Sequence, residues 1–158
     1  KSDLAESELA KVDFTGATIL KTGFKKADLS GARFDQAKGE RAIFENAKLE
    51  GASFRGAYLR AVTFEGAKAA KADFTGAHLK EAWFVGTDVT AATFADCVLH
   101  YANFSQAKLD LATFAGADLL WADLHRATEQ GTKWDRAKMT KVRRTDKDRL
   151  EAETWGGK

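Results

Sequence analysis

The feature that most constrains this chain is a period of five. All eleven phenylalanines stand ten residues apart, from Phe14 to Phe114. Midway between them lie aliphatic residues: Ile19, Leu29, Leu49, Leu59, Leu79, Val89, Leu99, Leu109 and Leu119. From Leu4 to Met139 this gives 28 centres, 25 of them large and apolar, with Gly39, Ala69 and Glu129 as the exceptions. Two residues before each centre the side chain is small, Ala at 20 of the 28 positions and otherwise Ser, Thr, Val or Cys. A repeat this regular decides the architecture before local propensity is consulted.

An α-helix cannot use the pattern. Five residues advance a helix by about 500°, so the apolar stripe would smear around the cylinder. A continuous strand fails as well, because its side chains alternate with period two and five is odd. The consistent solution is a short strand followed by a corner. The centre and the small residue two before it point inward, and the residue between them points outward. The two residues after the centre then turn the chain. Gly16, Gly56, Gly66, Gly76, Gly86 and Gly116 each follow a Phe by two. A type II turn needs positive φ at one such place, and glycine supplies it without steric cost.

Ala27-Asp28-Leu29, Ala72-Asp73-Phe74, Ala102-Asn103-Phe104, Ala117-Asp118-Leu119 and Ala122-Asp123-Leu124 resemble the pentapeptide-repeat family, with its Ala-(Asp/Asn)-(Leu/Phe)-x-x consensus. The resemblance implies an all-β fold, a right-handed quadrilateral β-helix with one pentad per face. Twenty residues per coil turns 28 pentads into about seven four-sided coils. At about 4.8 Å per coil the rod would be roughly 30–35 Å long. The repeat is expected to occupy residues 1–141, with 142–158 as a C-terminal capping tail. In that tail Thr145 and Asp148 suggest a capping box opening a short helix, which could lay Leu150 and Trp155 over the last coil. A dimerisation helix is the alternative. Neighbours are expected to close over the gaps at Gly39 and Ala69. A start at Lys1 rather than Met fits the loss of a leader or an upstream domain, and no cap is encoded near Leu4.

Little here points to catalysis. A convex rod offers no obvious cleft in which polar groups converge. Cys97 fills one of the small inward slots and reads as a structural thiol. His78, His100 and His125 take outward positions, without a third ligand for a metal. One cysteine excludes an internal disulfide, and no run of apolar residues is long enough to span a membrane. The sequence implies no cofactor, no metal and no catalytic residue. One corner differs from the mixed-charge remainder. Tyr101 and Trp121 fall in one column, twenty residues apart, with Trp83 at the adjoining face and His100 and Leu120 beside them. These five form a candidate protein-interaction patch, because Trp and Tyr are enriched at binding hot spots. Tyr58 and His78 extend the same side.

The leading expectation is a non-enzymatic scaffold or protein-interaction module, for instance the terminal docking module of a larger bacterial effector or secretion-associated protein. Its partner is an unidentified protein, a homodimer through a solenoid end is an option, and the compartment is cytoplasmic or secreted. The alternative implied by the resemblance is a DNA mimic that binds DNA gyrase. Mimicry calls for a strongly acidic surface in place of phosphates. Residues 1–130 carry 16 Lys plus Arg against 18 Asp plus Glu, and the whole chain is +2. That balance disfavours mimicry. Residues 131–158 carry nine basic against five acidic residues, which makes direct nucleic-acid binding a weak third option.

Overall fold

The structure, a computed structural model, describes residues 2–155, the side chain of Trp155 excepted. Its backbone is one ladder. Parallel bridges join residues twenty apart, from Asp3–Gly23 through Ser53–Asp73 to Asp123–Arg143. Each pentad supplies a single bridge residue, the one before the centre, so no strand runs longer than the gap between two corners. A turn follows each centre: Ala57 N–H donates to the Phe54 carbonyl at 3.1 Å, and nearly all the other pentads repeat this bond. The second residue after each centre has positive φ. Glycine holds nine of these sites, and ordinary residues, including Tyr101 and Trp121 at 59°, hold the rest. The left-handed region costs an L-residue roughly 1–2 kcal/mol, so the ladder and the core outweigh this cost at most corners.

Between coils the hydrogen bonds follow one scheme. Phe54 N–H donates to Asp73 O at 2.6 Å and Gly56 N–H to Thr75 O at 2.9 Å, both toward the C-terminal end. Asp73 N–H donates to Ala52 O at 2.9 Å, toward the N-terminal end. The consensus acid completes the turn. Asp73 Oδ1 accepts the Thr75 N–H at 2.9 Å, and Asp28, Asp88, Asn103, Asp118 and Asp123 do the same two residues on. That N–H lies just after the centre and takes part in none of the inter-coil bonds above, which is the physical reason for Asp or Asn at this point of the repeat.

The interior is a double ladder of rings. Within a column the rings stack face to face, as in Phe54–Phe74 at 4.9 Å and Phe74–Phe94 at 4.7 Å. Between the two columns they meet edge to face, as in Phe54–Phe64 at 5.5 Å and 84°. Both are favoured aromatic geometries. Trp134 continues one column, stacked on Phe114 at 4.5 Å. Phe24 to Phe114 and the alanines beside them are fully buried, whereas Leu4, Leu9, Phe14, Trp134 and Met139 near the ends are half-buried. Polar residues in the small slots are satisfied alike: Thr87 Oγ1 donates to Phe64 O at 2.7 Å and Cys97 Sγ to Phe74 O at 2.8 Å. At Gly39 the neighbours have closed in, and an added Cβ would stand 2.7 Å from Ile19 and 2.8 Å from Leu59.

The tail differs in register from the sequence reading. Helix α1 spans Lys147–Trp155. Its cap is Asp146, whose Oδ1 accepts the Arg149 N–H at 2.7 Å, not Thr145. Thr145 Oγ1 instead accepts the Arg126 N–H at 2.6 Å, prolonging the ladder by one bond. Charge ties α1 to the coils. Arg149 reaches Asp123 at 3.0 Å, and Glu153 reaches His125 at 2.9 Å and Arg126 at 3.4 Å. Leu150 is half-buried, and the expected seat of the Trp155 side chain lies outside the described residues. His125, outward in the repeat, is covered by this helix and only 2% exposed, so the sequence expectation that it faces solvent is corrected.

Candidate functional site

The corner formed by residues 100–101 and 120–121 carries the aromatic residues that the repeat register turns outward. Trp83, Tyr101 and Trp121 are 51%, 52% and 39% exposed with α1 in place, so the helix leaves them open. Their φ values and bridge partners are set by the ladder: Trp83 pairs with Thr63 and Asn103, and Tyr101 N–H donates to Leu120 O at 2.9 Å. No centre depends on them, because Phe84, Leu99, Phe104 and Leu119 already fill the core beneath.

The fold brings Trp83 and Tyr101 to one hollow of about 360 Å³, which Glu81, Asp123 and Arg143 also line. Trp121 lies outside that hollow, with Lys141 Nζ 4.7 Å from its ring centroid. Lys80 stands 6.0 Å from the Tyr101 ring. Such cation–π contacts are worth roughly 0.5–1 kcal/mol at exposed sites. His100 and Leu120 are half-buried. His100 Nε2 is 3.3 Å from Asp118 Oδ2. Burial works against the Asp118 charge, but the His100 imidazole, the Leu120 N–H and Lys138 outweigh it and hold the carboxyl below its usual range.

Elsewhere the chemistry is quiet. Burial pushes the Cys97 thiol up to about 12, so it stays protonated and unreactive at neutral pH. Among the described residues no three His, Cys, Asp or Glu side chains converge as a metal site. No helix there is long and apolar enough to cross a membrane. Sequence reasoning missed the ionic seam of Asp123, His125, Arg149 and Glu153. Its two halves, 123–125 and 149–153, lie 24 to 30 residues apart, and only the return of the tail brings them together. The one hint was a tail of mixed acids and bases following a strictly patterned rod.

The comparisons agree with this geometry. The chain matches the model of the pentapeptide repeat region over residues 17–93 and 37–114, well over half of its length. Among solved structures, QnrB1, a plasmid-mediated fluoroquinolone resistance protein, aligns with a TM-score of 0.66 at 21% identity, covering 98% of this chain and 95% of that one. HetL, a pentapeptide repeat protein involved in heterocyst differentiation regulation from the cyanobacterium Nostoc, aligns at 20% identity over 89% of this chain and 88% of its own, with a TM-score of 0.35. A pentapeptide repeat protein of the Arabidopsis thaliana thylakoid lumen aligns at 25% identity over 68% of each chain, with a TM-score of 0.31. Among curated proteins none matches the chain in sequence. At such identities the first likeness speaks to fold alone, and the fold is the right-handed β-helix, mostly β with one short C-terminal helix. Repeat, ladder and family match together place the chain in the pentapeptide-repeat family.

Proposed function

We propose that the chain is a non-enzymatic protein-docking module whose contact surface is the corner of Trp83, Tyr101 and Trp121, flanked by His100 and Leu120. The observation that carries this reading is the exposure of three large aromatics that support no part of the core. Large, rigid side chains give contact area at low entropic cost, and binding energy concentrates in such anchors. In this reading residues 1–141 form about seven four-sided coils that hold the corner rigid, and residues 142–158 cap the open end. The rod would serve as the terminal module of a larger bacterial effector or secretion-associated protein, in the cytoplasm or after secretion. A homodimer through a solenoid end is the other assembly it could adopt.

The double replacement Tyr101→Ser with Trp121→Ser tests this. Stability should change by no more than about 1 kcal/mol. Capture of a native partner, or self-association seen by light scattering, should weaken by at least about tenfold, which is about 1.4 kcal/mol. Unchanged capture and unchanged mass would remove the corner from consideration.

The gyrase-directed DNA mimic is the second reading. In its favour stands the fold shared with QnrB1, a fluoroquinolone resistance protein. Against it stand the near-neutral charge and acids already neutralised by neighbours, such as Asp73 by Arg55 at 2.6 Å and Asp28 by Lys48 at 3.2 Å. A gyrase supercoiling assay separates the two: inhibition at stoichiometric protein would favour mimicry.

A further inference from the structure

A second surface lies nearer the N-terminal end, about the outward ring of Tyr58. Tyr58 is 54% exposed and stacks on His78 with centroids 4.6 Å apart and planes 11° from parallel. Hollows open on both sides of it. One, of about 650 Å³, is lined by Leu20, Gly39 and Leu59 among others, with Leu59 itself buried. The other, of about 570 Å³, runs past Gly16 and Gly56 to the neighbouring corner. Beneath the first hollow, Ile19 and Leu59 have closed the gap left by the missing side chain at the inward centre Gly39. Leu20, 53% exposed, stands at the edge of that hollow.

The charge around these hollows is positive on balance, broken by two carboxylates. Lys38, Arg60 and Lys80 line the first hollow against the single carboxylate of Glu40, which lies 3.9 Å from Arg60. Arg60 and Lys80 also meet Glu81, at 3.2 Å and 3.8 Å. Lys38, which lines both hollows, has no carboxylate within salt-bridge distance among the described residues. The chain as a whole is only +2, so this excess is local.

We propose that the Tyr58 surface docks an acidic peptide segment of a protein partner, a carboxylate meeting Lys38 and a large apolar side chain resting against Tyr58 and Leu20. Both hollows are open on the outside, so a free small molecule would keep much of its surface in water, whereas enclosed ligand sites bury most of theirs. A segment anchored on a larger partner does not need enclosure. The exposed Leu20 and the carboxylates of Glu40 and Glu81 favour a peptide over a phosphate backbone, which is drawn to unbroken positive charge. This site adjoins the aromatic corner through Lys80 and Glu81 but is built on other residues, and it goes beyond the function proposed for that corner.

The test is a random-peptide phage selection on the immobilised protein, followed by fluorescence anisotropy with the enriched peptides. Acidic peptides with an aromatic or aliphatic anchor should be enriched. Their affinity should fall at least about tenfold in Lys38→Glu and in Tyr58→Ala, and stay unchanged in Lys138→Glu, a distant lysine of the same column. It should also be unchanged in the Tyr101→Ser, Trp121→Ser pair, which separates failure here from failure of the corner. Both Tyr58 and Lys38 lie outside the core, so circular dichroism should match the parent. Enriched peptides without acidic bias, or affinities insensitive to both replacements, would overturn the proposal. So would displacement of the peptides by oligothymidylate in a Lys38-dependent way, which would assign the surface to nucleic acid.

Discussion

Glu129, the only acid at an inward centre, is met by Arg144, whose Nη2 lies 2.9 Å and Nε 3.3 Å from its carboxylate oxygens. The same guanidinium sits 5.7 Å from the Trp134 ring centroid. Together they close the end of one aromatic column with charge instead of another coil. An exposed apolar end and unpaired edge invite association. Arg144→Ala should therefore leave the fold intact, with a stability loss of about 1 kcal/mol or less, as for exposed ion pairs. It should raise the apparent mass in light scattering as concentration rises. A variant that stays as monodisperse as the parent would assign the closure to α1 alone.

Phe74 and Trp83 set the contrast between core and surface. Phe74 is fully buried and stacked on both sides, whereas Trp83 is half in water. Phe74→Ala should cost about 3–5 kcal/mol in urea unfolding. Trp83→Ala should cost no more than about 1 kcal/mol. Equal losses would mean that Trp83 is covered in the native molecule.

The corners give a test of backbone strain. Ala91 has φ of 56° and Gly66 has φ of 65°. Ala91→Gly should be neutral or stabilising by up to about 1 kcal/mol, because relief of the left-handed penalty opposes the entropy that glycine loses. Gly66→Ala should cost at least about 1 kcal/mol. Its new Cβ would also collide with Asn46 Oδ1. Thermal melts of the two variants should move in opposite directions or leave only Gly66→Ala displaced.

The attachment of α1 should depend on pH. The hydrogen bond to His125 holds the Glu153 carboxyl below its usual value; desolvation opposes it, and the charges of Arg126 and Arg149 add to it. A carboxyl lowered in the docked state contributes attachment that is fully present above its ordinary value and is lost as pH falls through the lowered one. Asp123, facing Arg149 and Arg143, stands on the same seam. Acidification through the carboxylate range should speed amide exchange in 147–155 before it affects the coils. In Glu153→Gln that step should be blunted, because no charge remains there to lose. Exchange in the helix that is flat across this range would sever α1 from Glu153.

Much of this molecule was legible from its period. Phe14 to Phe114, the alanines before them and the outward setting of Tyr101 and Trp121 follow from counting by five, because each coil repeats the geometry of the last. Where the repetition stops, so does the legibility. Arg144 stands three pentads after Glu129 and in its register, but both break the apolar pattern of the centres, and Glu153 covers His125 from outside the repeat, so the period announces neither ion pair. Thr145 and Asp146 are both sound helix caps by type, and only the extra ladder bond to Arg126 decides between them. The gap at Gly39 and its closure by Ile19 and Leu59 were legible, whereas the hollow beside Tyr58 depends on the packing of outward side chains, which a period does not encode.

The inter-coil hydrogen bonds have an electrical consequence. In each pentad two peptide N–H groups point toward the C-terminal end and one toward the N-terminal end, while the turn bond closes within its own coil. One peptide dipole per pentad, about 3.5 D, is thus left uncancelled. All of these align, so the positive pole of the rod is its C-terminal end. In an α-helix, favourable side chains oppose the backbone dipole. Here they add to it: residues 1–13 hold four acids against Lys1 and Lys11, and residues 131–158 hold nine basic against five acidic residues. A nearly neutral molecule is in this way polar along its axis. Near a charged body it experiences a torque before it makes any contact, and toward an anionic one it arrives C-terminal end first.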